Sequence, residues 1–400
     1  MGEVIREEAG GEGGDAADEE RARCEWDFRL SSVVSSSTPG GVVSSPSDAL
    51  GVIEFDPTHT ILATGGIARK IRIYRLKSLL PAETNHQQQE EEEGGRGGGG
   101  SVGDNINNIS YLDHATACDY YICTPAKLSS LRWKPRSDGR LVGSGDYDGV
   151  VTEYDLESRV PVFERDEHGG RRVWALDYSH WEPAVGASGS DDGTVQMWDA
   201  RCEGRECAGR ARPSGAAVCC VEFNPFGGWM LAAGCADRKA YGYDVRRMGE
   251  AVAVMEGHRK TVTYVRFMEG GKVATAGADG CLKLWDLEGA GGYSRAIRTY
   301  RGHVNSRNFV GLSVWREGGL LGCGSESGNN QVFVYDKRWG DPVWVASSTG
   351  TGSSGSGFVS SVCWRQAGDQ DGCCTLVTGA SDGVLQVFQG KRIPPHFIAP

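Results

Sequence analysis

No stretch of the 400 residues holds the run of about 18 apolar side chains that a membrane-spanning helix needs, so none is expected. The opening MGEVIREEAGGEGGDAADEE has no apolar centre, which excludes the pattern of a secretory signal. Its Met-Gly start lacks the Ser or Thr of a myristoylation site, because Arg6 stands at that position. CxxC pairs are missing too. The 13 cysteines are odd in number and scattered, so neither a disulfide framework nor a structural zinc site is expected. His114, Cys118 and Cys123, or Cys202 and Cys207, make only partial ligand sets, and buried thiols in a reducing compartment are the better reading. There is no Gly-x-Ser-x-Gly elbow, phosphate-loop signature or His-Glu-x-x-His, and no metal or other cofactor is expected. GGIARK and GGRGGGG are rich in glycine but lack the strand-to-helix context of a phosphate cradle.

A basic excess is also lacking. The net charge is −11, but residues 1–23 carry −5 and residues 81–100 carry −4, which leaves −2 for the rest. A nearly neutral folded part does not suit direct nucleic-acid binding.

What is abundant is glycine, 59 residues against 14 prolines, and an aromatic that returns at a regular interval. IRIYRL, VTEYDL, VQMWDA, AYGYDV, LKLWDL, VFVYDK and LQVFQG align on Tyr74, Tyr154, Trp198, Tyr243, Trp285, Tyr335 and Phe388. The intervals are 80, 44, 45, 42, 50 and 53 residues. A Gly-rich turn precedes each aromatic (GSDDGT before Trp198, for example), and a short apolar strand such as VIEF, LSSLRW, VWALDY, VCCVEF or VTYVRF precedes each turn. Seven such units resemble the WD40 repeat, and the fold expected is an all-β, seven-bladed WD40 propeller over residues 50–390. The alternation in VQMWD fits an inner strand.

The long intervals have visible causes. Residues 81–110 form a Gln/Glu/Gly tract and residues 348–357 a Gly/Ser tract, both expected to be disordered loops, as is the acidic tail 1–23. The chain after Phe388 reads QGKRIPP, a poor strand, whereas WDFRLSSVVS alternates well. Residues 24–36 are therefore expected to supply the outer strand of the seventh blade and close the ring.

The turn aspartates Asp148, Asp192, Asp237, Asp279 and Asp382 offer one or two oxygens per blade, too few for a calcium loop. A local role is expected instead: aspartate accepts turn N–H bonds before glycine. In WD40 blades that this sequence resembles, such an Asp also bonds a Gly-His histidine. Asp192, His258, Asp279 and His303 are thus structural candidates.

KLSSLRW, GDYDGVVTEYDL, ERDEHGGRRVWALDYS, VCCVEFNP, GHRKTVTYVRF, TYRGHVNSRNFVGLSVW and GCGSESGNNQVFVYDK resemble the propellers of the plant photomorphogenesis repressors. These comprise the constitutively photomorphogenic ubiquitin ligase, its suppressor-of-phytochrome partners and the small repressor of UV-B photomorphogenesis proteins. The chain is most similar to the third group, a nearly bare propeller. The resemblance implies a groove for Val-Pro motifs of the UV-B photoreceptor tail and of transcription factors. Matching positions are Lys127, Tyr147, Trp174, Lys260 and Phe309, with Arg172 adding charge. Aromatics can pocket Val and Pro, and lysines can pair with acidic flanks. The opposing reading places Trp174 in the core and Tyr147 in its turn.

WDAR (Trp198, Asp199, Arg201) and YDVR (Asp244, Arg246) set an Arg two residues after an Asp, as does YDKR (335–338). In similar propellers this motif docks on the damaged-DNA-binding adaptor of cullin-four ubiquitin ligases. The opposing reading is an Arg paired with a neighbouring blade's acid. The function implied is a non-enzymatic repressor of UV-B signalling. It binds the photoreceptor, competes with the photomorphogenic ligase and promotes re-dimerisation. The alternative is a ligase-associated propeller that targets light or flowering regulators without acting on the photoreceptor. Nucleus and cytoplasm are the compartments implied, although KRIPP, from residue 391, is too short to mark import.

Overall fold

The computed structural model describes residues 26–36, 48–80, 109–202, 208–288, 293–346, 357–367 and 373–393. The tail 1–23, all but the last two residues of the tract 81–110, and all but the last residue of the tract 348–357 lie outside them.

The described residues form seven β-sheets, five of four strands and two of five. The innermost strands are Leu50–Phe55, Leu128–Trp133, Val173–Tyr178, Val218–Phe223, Val262–Glu269, Leu312–Trp315 and Val359–Trp364. Each touches the next, and the seventh touches the first, so the sheets are the blades of a closed seven-bladed propeller. Closure removes every inner edge and gives each blade two neighbours against which to bury its faces.

The recurring aromatics all lie on the third strand of a blade, counted from the axis, and all are buried. This corrects the placing of VQMWD: Val195–Asp199 is a third strand, and Val173–Tyr178 is the innermost of that blade. Both strands are covered on their two faces, so period-two alternation does not distinguish them.

Blade seven joins the two ends of the chain. Trp26–Ser35 runs antiparallel to Leu385–Arg392, with Trp26 opposite Arg392 and Val34 opposite Leu385. Its alternation puts Trp26 and Phe28 inward. Trp26 packs edge-on against Trp315 at 5.4 Å, and Phe28 meets Trp344 at 4.9 Å and Trp364 at 5.9 Å. Ser110–Asp113 adds a parallel fifth strand beyond it, an element absent from the sequence reading.

Within a blade the chain runs from one face to the other and back, strand by strand. The connection into each innermost strand and the turn between second and third strands therefore share one face, here called the upper. The turns between first and second strands, and between third and fourth, share the lower face.

Candidate peptide groove and a second face

Beneath the upper face blades three and five are tied by a polar chain, complete in blade five. The Trp285 indole N–H donates to Thr275 Oγ1 at 2.8 Å, and Thr275 Oγ1 lies 2.7 Å from His258 Nε2. His258 Nδ1 lies 3.1 Å from Asp279 Oδ1; an ionised carboxylate only accepts, so Nδ1 carries the hydrogen. Burial pushes the Asp279 carboxyl up, but the His258 bond and the Arg259 N–H outweigh it and hold the pKa at about 2. Asp192 plays the same part in blade three, 2.9 Å from His168 Nδ1, while Ser188 Oγ lies 2.7 Å from Nε2. His168 escaped the sequence reading because it precedes a Gly-Gly rather than following a glycine. Its distance from the turn Asp, 24 residues against 21 for His258, was the available signal. His303 differs from both: among the described residues no carboxylate hydrogen-bonds it, Nδ1 lies 2.9 Å from the Tyr335 hydroxyl, and burial, opposed only in part by the nearby charge of Asp279, lowers its pKa to about 4.

The expected groove residues all occupy the upper face. Lys127, Lys260 and Phe309 lie in connections into innermost strands, Tyr147 lies in a second-to-third turn, and Arg172 and Trp174 stand at the head of Val173–Tyr178. Trp174 from blade three and Phe309 from the entry to blade six reach across the channel mouth. Their rings stack at 4.5 Å and 8°. Tyr264 meets Phe309 edge-on at 5.7 Å. Trp174 is thus half-buried rather than core, and its indole N–H donates to Asp191 Oδ1 at 2.6 Å. The Arg172 guanidinium lies 3.7 Å from the centre of the Tyr147 ring and 4.4 Å from that of Trp174. It is a cation held between two π faces, not a free rim charge. Lys127 joins this cluster only through its backbone, whose carbonyl accepts the Tyr147 N–H at 3.0 Å. Lys260 is exposed and donates to the Ser306 carbonyl at 3.2 Å.

Two concavities meet at the Trp174–Phe309 pair. One, of about 610 Å³, runs down the channel past Tyr147 and Tyr264; the other, of about 560 Å³, lies beside it and is walled by Asp191, Arg238, Lys260 and Arg307. The loop carrying Arg307 and Phe309 is fixed by Glu326, which accepts the N–H groups of Ser306, Arg307 and Asn308 at 2.5–3.0 Å. Burial pushes the Glu326 carboxyl up, but these bonds outweigh it and lower its pKa.

Deeper in the channel lies a set of charges absent from the sequence reading. Glu54, Arg132, Asp177, Glu222 and Arg266 come from blades one to five, each one residue before the last aromatic of its innermost strand. Arg132 donates to Glu54 at 2.5 Å, and Arg316 reaches Glu222 at 3.3 Å. Asp177 and Glu222 also accept the N–H groups of Phe223 and Phe267 from the next blade. These charges bond blade to blade, a structural use. The signal was legible in VIEF, LSSLRW, VWALDY, VCCVEF and VTYVRF, whose penultimate residues are all ionisable.

The Asp-x-Arg motifs occupy the lower face, where third strands end. Arg201 clasps Asp199 through Nε at 2.9 Å and Nη2 at 2.6 Å, and Nη1 reaches Glu182 at 3.1 Å. Arg246 clasps Asp244 at 2.9 and 2.6 Å, and Arg338 clasps Asp336 at 2.9 and 2.7 Å. These carboxylates belong to the same blade, where the opposing reading expected a neighbouring blade's acid. A carboxylate two residues earlier on the same strand end is simply nearer. The Arg246 clasp holds the Asp244 carboxyl at about 2. Trp198 takes no part in this surface; it is buried, and its indole nitrogen has no partner among the described residues.

Among the described residues no three His, Cys, Asp or Glu side chains gather closely enough to hold a metal. His114 is engaged by the Tyr74 hydroxyl and the Gly383 carbonyl, each at 2.8 Å, and Cys118 donates to the Tyr120 carbonyl.

The family described as WD domain, G-beta repeat matches residues 159–199, 207–244 and 249–286. Each match starts in or just before the outer strand of one blade and ends in the third strand of the next, the offset that lets chain ends share blade seven. The chain is 60% identical over 357 residues to the WD repeat-containing protein RUP2 of Arabidopsis thaliana, covering 87% of this chain and 89% of that protein. Its identity to RUP1 of the same plant is 56% over 374 residues, with 92% and 86% covered. The E3 ubiquitin-protein ligase COP1 of Arabidopsis thaliana is 32% identical over 357 residues, covering 87% of this chain and 46% of the ligase. Both the repeat architecture and the extent of identity therefore place the chain in the repressor of UV-B photomorphogenesis family of WD-repeat proteins.

Proposed function

We propose that this propeller is a non-enzymatic repressor of UV-B signalling whose upper face binds a Val-Pro motif in the UV-B photoreceptor tail. The observation that carries the reading is the aromatic pair across the channel mouth. Trp174 and Phe309 are half-buried, stacked on each other, and bordered by Tyr147, Arg172, Tyr264 and Lys260. A stacked pair of this kind contributes about 0.5–1.5 kcal/mol, little enough for an entering Val or Pro to rearrange it. The flanking lysines Lys127 and Lys260 favour acidic residues beside the motif. Occupancy of the groove blocks the photomorphogenic ligase by overlap at the same motif, and binding that favours the assembly-competent geometry hastens re-dimerisation. Transcription factors with Val-Pro motifs are further ligands, and the protein acts in nucleus and cytoplasm.

The test is the rate at which photoreceptor monomers re-dimerise with and without this protein, and with Trp174→Ala. Acceleration by the native chain and none by the variant is the expected result; equal rates in all three overturn the reading.

A second reading is favoured by the identity to ligase-associated propellers and by the exposed Asp-x-Arg clasps. In it the lower face engages the damaged-DNA-binding adaptor of a cullin-four ligase while the upper face presents light or flowering regulators. The faces are opposite, so both readings can hold in one molecule.

A further inference from the structure

We infer that the concavity walled by Arg238, Lys260 and Arg307 is an anion subsite for a phosphorylated serine or threonine of the docked peptide. The inference rests on the Val-Pro groove reading and adds a regulation to it. The three cations come from different elements: the second-to-third turn of blade four and the connections entering blades five and six. All are exposed, and none has an acidic partner among the described residues, whereas Arg72, Arg132, Arg140, Arg201, Arg246 and Arg316 all do. The one carboxylate in the wall, Asp191, already accepts the Trp174 indole N–H. Three cations against this one carboxylate leave the wall net positive, and the repulsion among them is offset when an anion binds.

The backbones beneath these side chains are fixed before any ligand arrives. Glu326 pins the Arg307 loop, and the Lys260 ammonium ties its own loop to Ser306. Arg238 sits in a left-handed conformation with φ +77°, and the neighbouring Asp237 accepts the Lys239 N–H at 3.1 Å and the Tyr241 hydroxyl at 2.5 Å. Preorganised backbones lower the ordering cost of binding. A side-chain carboxylate brings one charge and two acceptor atoms. A phosphate monoester brings nearly two charges and three oxygens, which matches two guanidinium forks and an ammonium. The subsite shares Trp174, Arg307 and Phe309 with the aromatic mouth, so a phosphoresidue close to Val-Pro can occupy it while the motif is docked.

The experiment is calorimetric titration of the full chain with Val-Pro peptides carrying Ser, Glu or phosphoserine at successive positions on either side of the motif. At one position or more the phosphoserine form is expected to bind at least about tenfold tighter than its serine twin, and tighter than the Glu form. Arg238→Asn, which tolerates a positive φ, is expected to remove that gain and leave the serine peptide's affinity unchanged, because Arg238 lines only the subsite; Arg307→Gln, in the wall shared with the mouth, is expected to remove the gain as well. Equal affinities for serine and phosphoserine peptides at every position overturn the inference, as does a gain that survives both variants. The serine peptide alone reports the groove, so the two failures are separable. If it fails to bind, a phosphoserine peptide with Val-Pro replaced by Gly-Gly decides: binding lost in Arg238→Asn keeps the subsite, and no binding ends it. Inorganic phosphate binding as tightly as the best phosphopeptide also counts against a peptide-borne ligand.

Discussion

On the lower face every arginine of an Asp-x-Arg motif has a carboxylate in its grasp two residues away. On the upper face Arg238, Lys260 and Arg307 have none among the described residues, and Arg172 rests on aromatic rings. The contrast separates two uses of the same charge. A cation with an acid on its own strand end is satisfied by the fold, and a partner would meet a surface already neutral. Unpaired cations gathered round a half-buried aromatic pair leave work for a ligand. Charge counting along the sequence does not see this, because both faces belong to a chain segment with a net charge near zero.

The largest expected effect removes the frame that both faces share. Deleting residues 26–36 strips blade seven of its outer strand and takes Trp26 and Phe28 from a cluster with Trp315, Trp344 and Trp364. Losing a single buried Phe costs about 3–5 kcal/mol, so losing a whole strand should abolish the cooperative melting transition. A scanning-calorimetry endotherm at the native temperature would contradict the closure, and the faces would then be independent of it.

Next in size is the difference between the faces themselves. Trp174→Ala removes half of the aromatic pair while the lower clasps are untouched. A hot-spot aromatic of this kind is worth about 2–4 kcal/mol, which corresponds to a loss of Val-Pro peptide affinity of roughly 30- to 1000-fold. The melting temperature should fall only slightly, because the ring is half-exposed. A variant that binds as tightly as the native chain would make the stack a packing feature.

The fold was legible because its signal repeats. The aromatic on each third strand, the Gly-rich turn and the apolar inner strand recur in register, and seven weak signals in phase outweigh one strong motif. Which strand is innermost was not legible from VQMWD, since strands buried on both sides lose the alternation that marks a solvent face. At the site, residue types were readable but relations were not. Nothing in RRVWAL says that Arg172 lies between Tyr147 and Trp174, or that Phe309, three blades on, stacks with Trp174. Those contacts depend on the radius of the closed ring. The short segment Ser110–Asp113 was hidden for a related reason: it pairs with Trp26–Ser35, far away in sequence, and carries no repeat of its own.

Acid should act on the faces at different pH. His303 lies in the connection that also carries Arg307 and Phe309, and burial lowers its pKa from an ordinary 6.5 to about 4. The unfolded chain therefore takes up this proton first as pH falls. The stability contributed is complete above about 6.5 and is lost progressively toward 4, about 3 kcal/mol in all. Asp244 is depressed to about 2, so its contribution lasts until the pH falls below its ordinary value of 3.8. Between pH 6.5 and 4 the upper face should weaken while the Arg246 clasp stays closed. Melting curves should show a native decline across this window that His303→Gln flattens, with peptide affinity following the same course. A parallel decline in the variant would assign the acid sensitivity to other groups.

The smallest effect on stability, and the one that decides the lower face, comes from Arg201→Ala with Arg246→Ala. Both guanidinium groups are more than half exposed, and exposed pairs contribute at most about 1 kcal/mol each, so the double variant should melt close to the native temperature. If the clasps serve only the strand ends, recovery of the damaged-DNA-binding adaptor in a pull-down should also be unchanged. If the adaptor docks there, recovery should be lost while Val-Pro peptide affinity holds, because the groove lies on the opposite face. Each clasp keeps its Asp oxygens on Nε and Nη2; Arg201 also engages Glu182 through Nη1, whereas Arg246 Nη1 has no acid partner among the described residues, and each guanidinium, more than half exposed, presents a rigid edge rather than a bare charge. A partner using that edge would contribute acceptors, carbonyl or carboxylate, to a fork already held in place, and Asp199→Ala or Asp244→Ala should then weaken recovery too, by freeing the arginine to move.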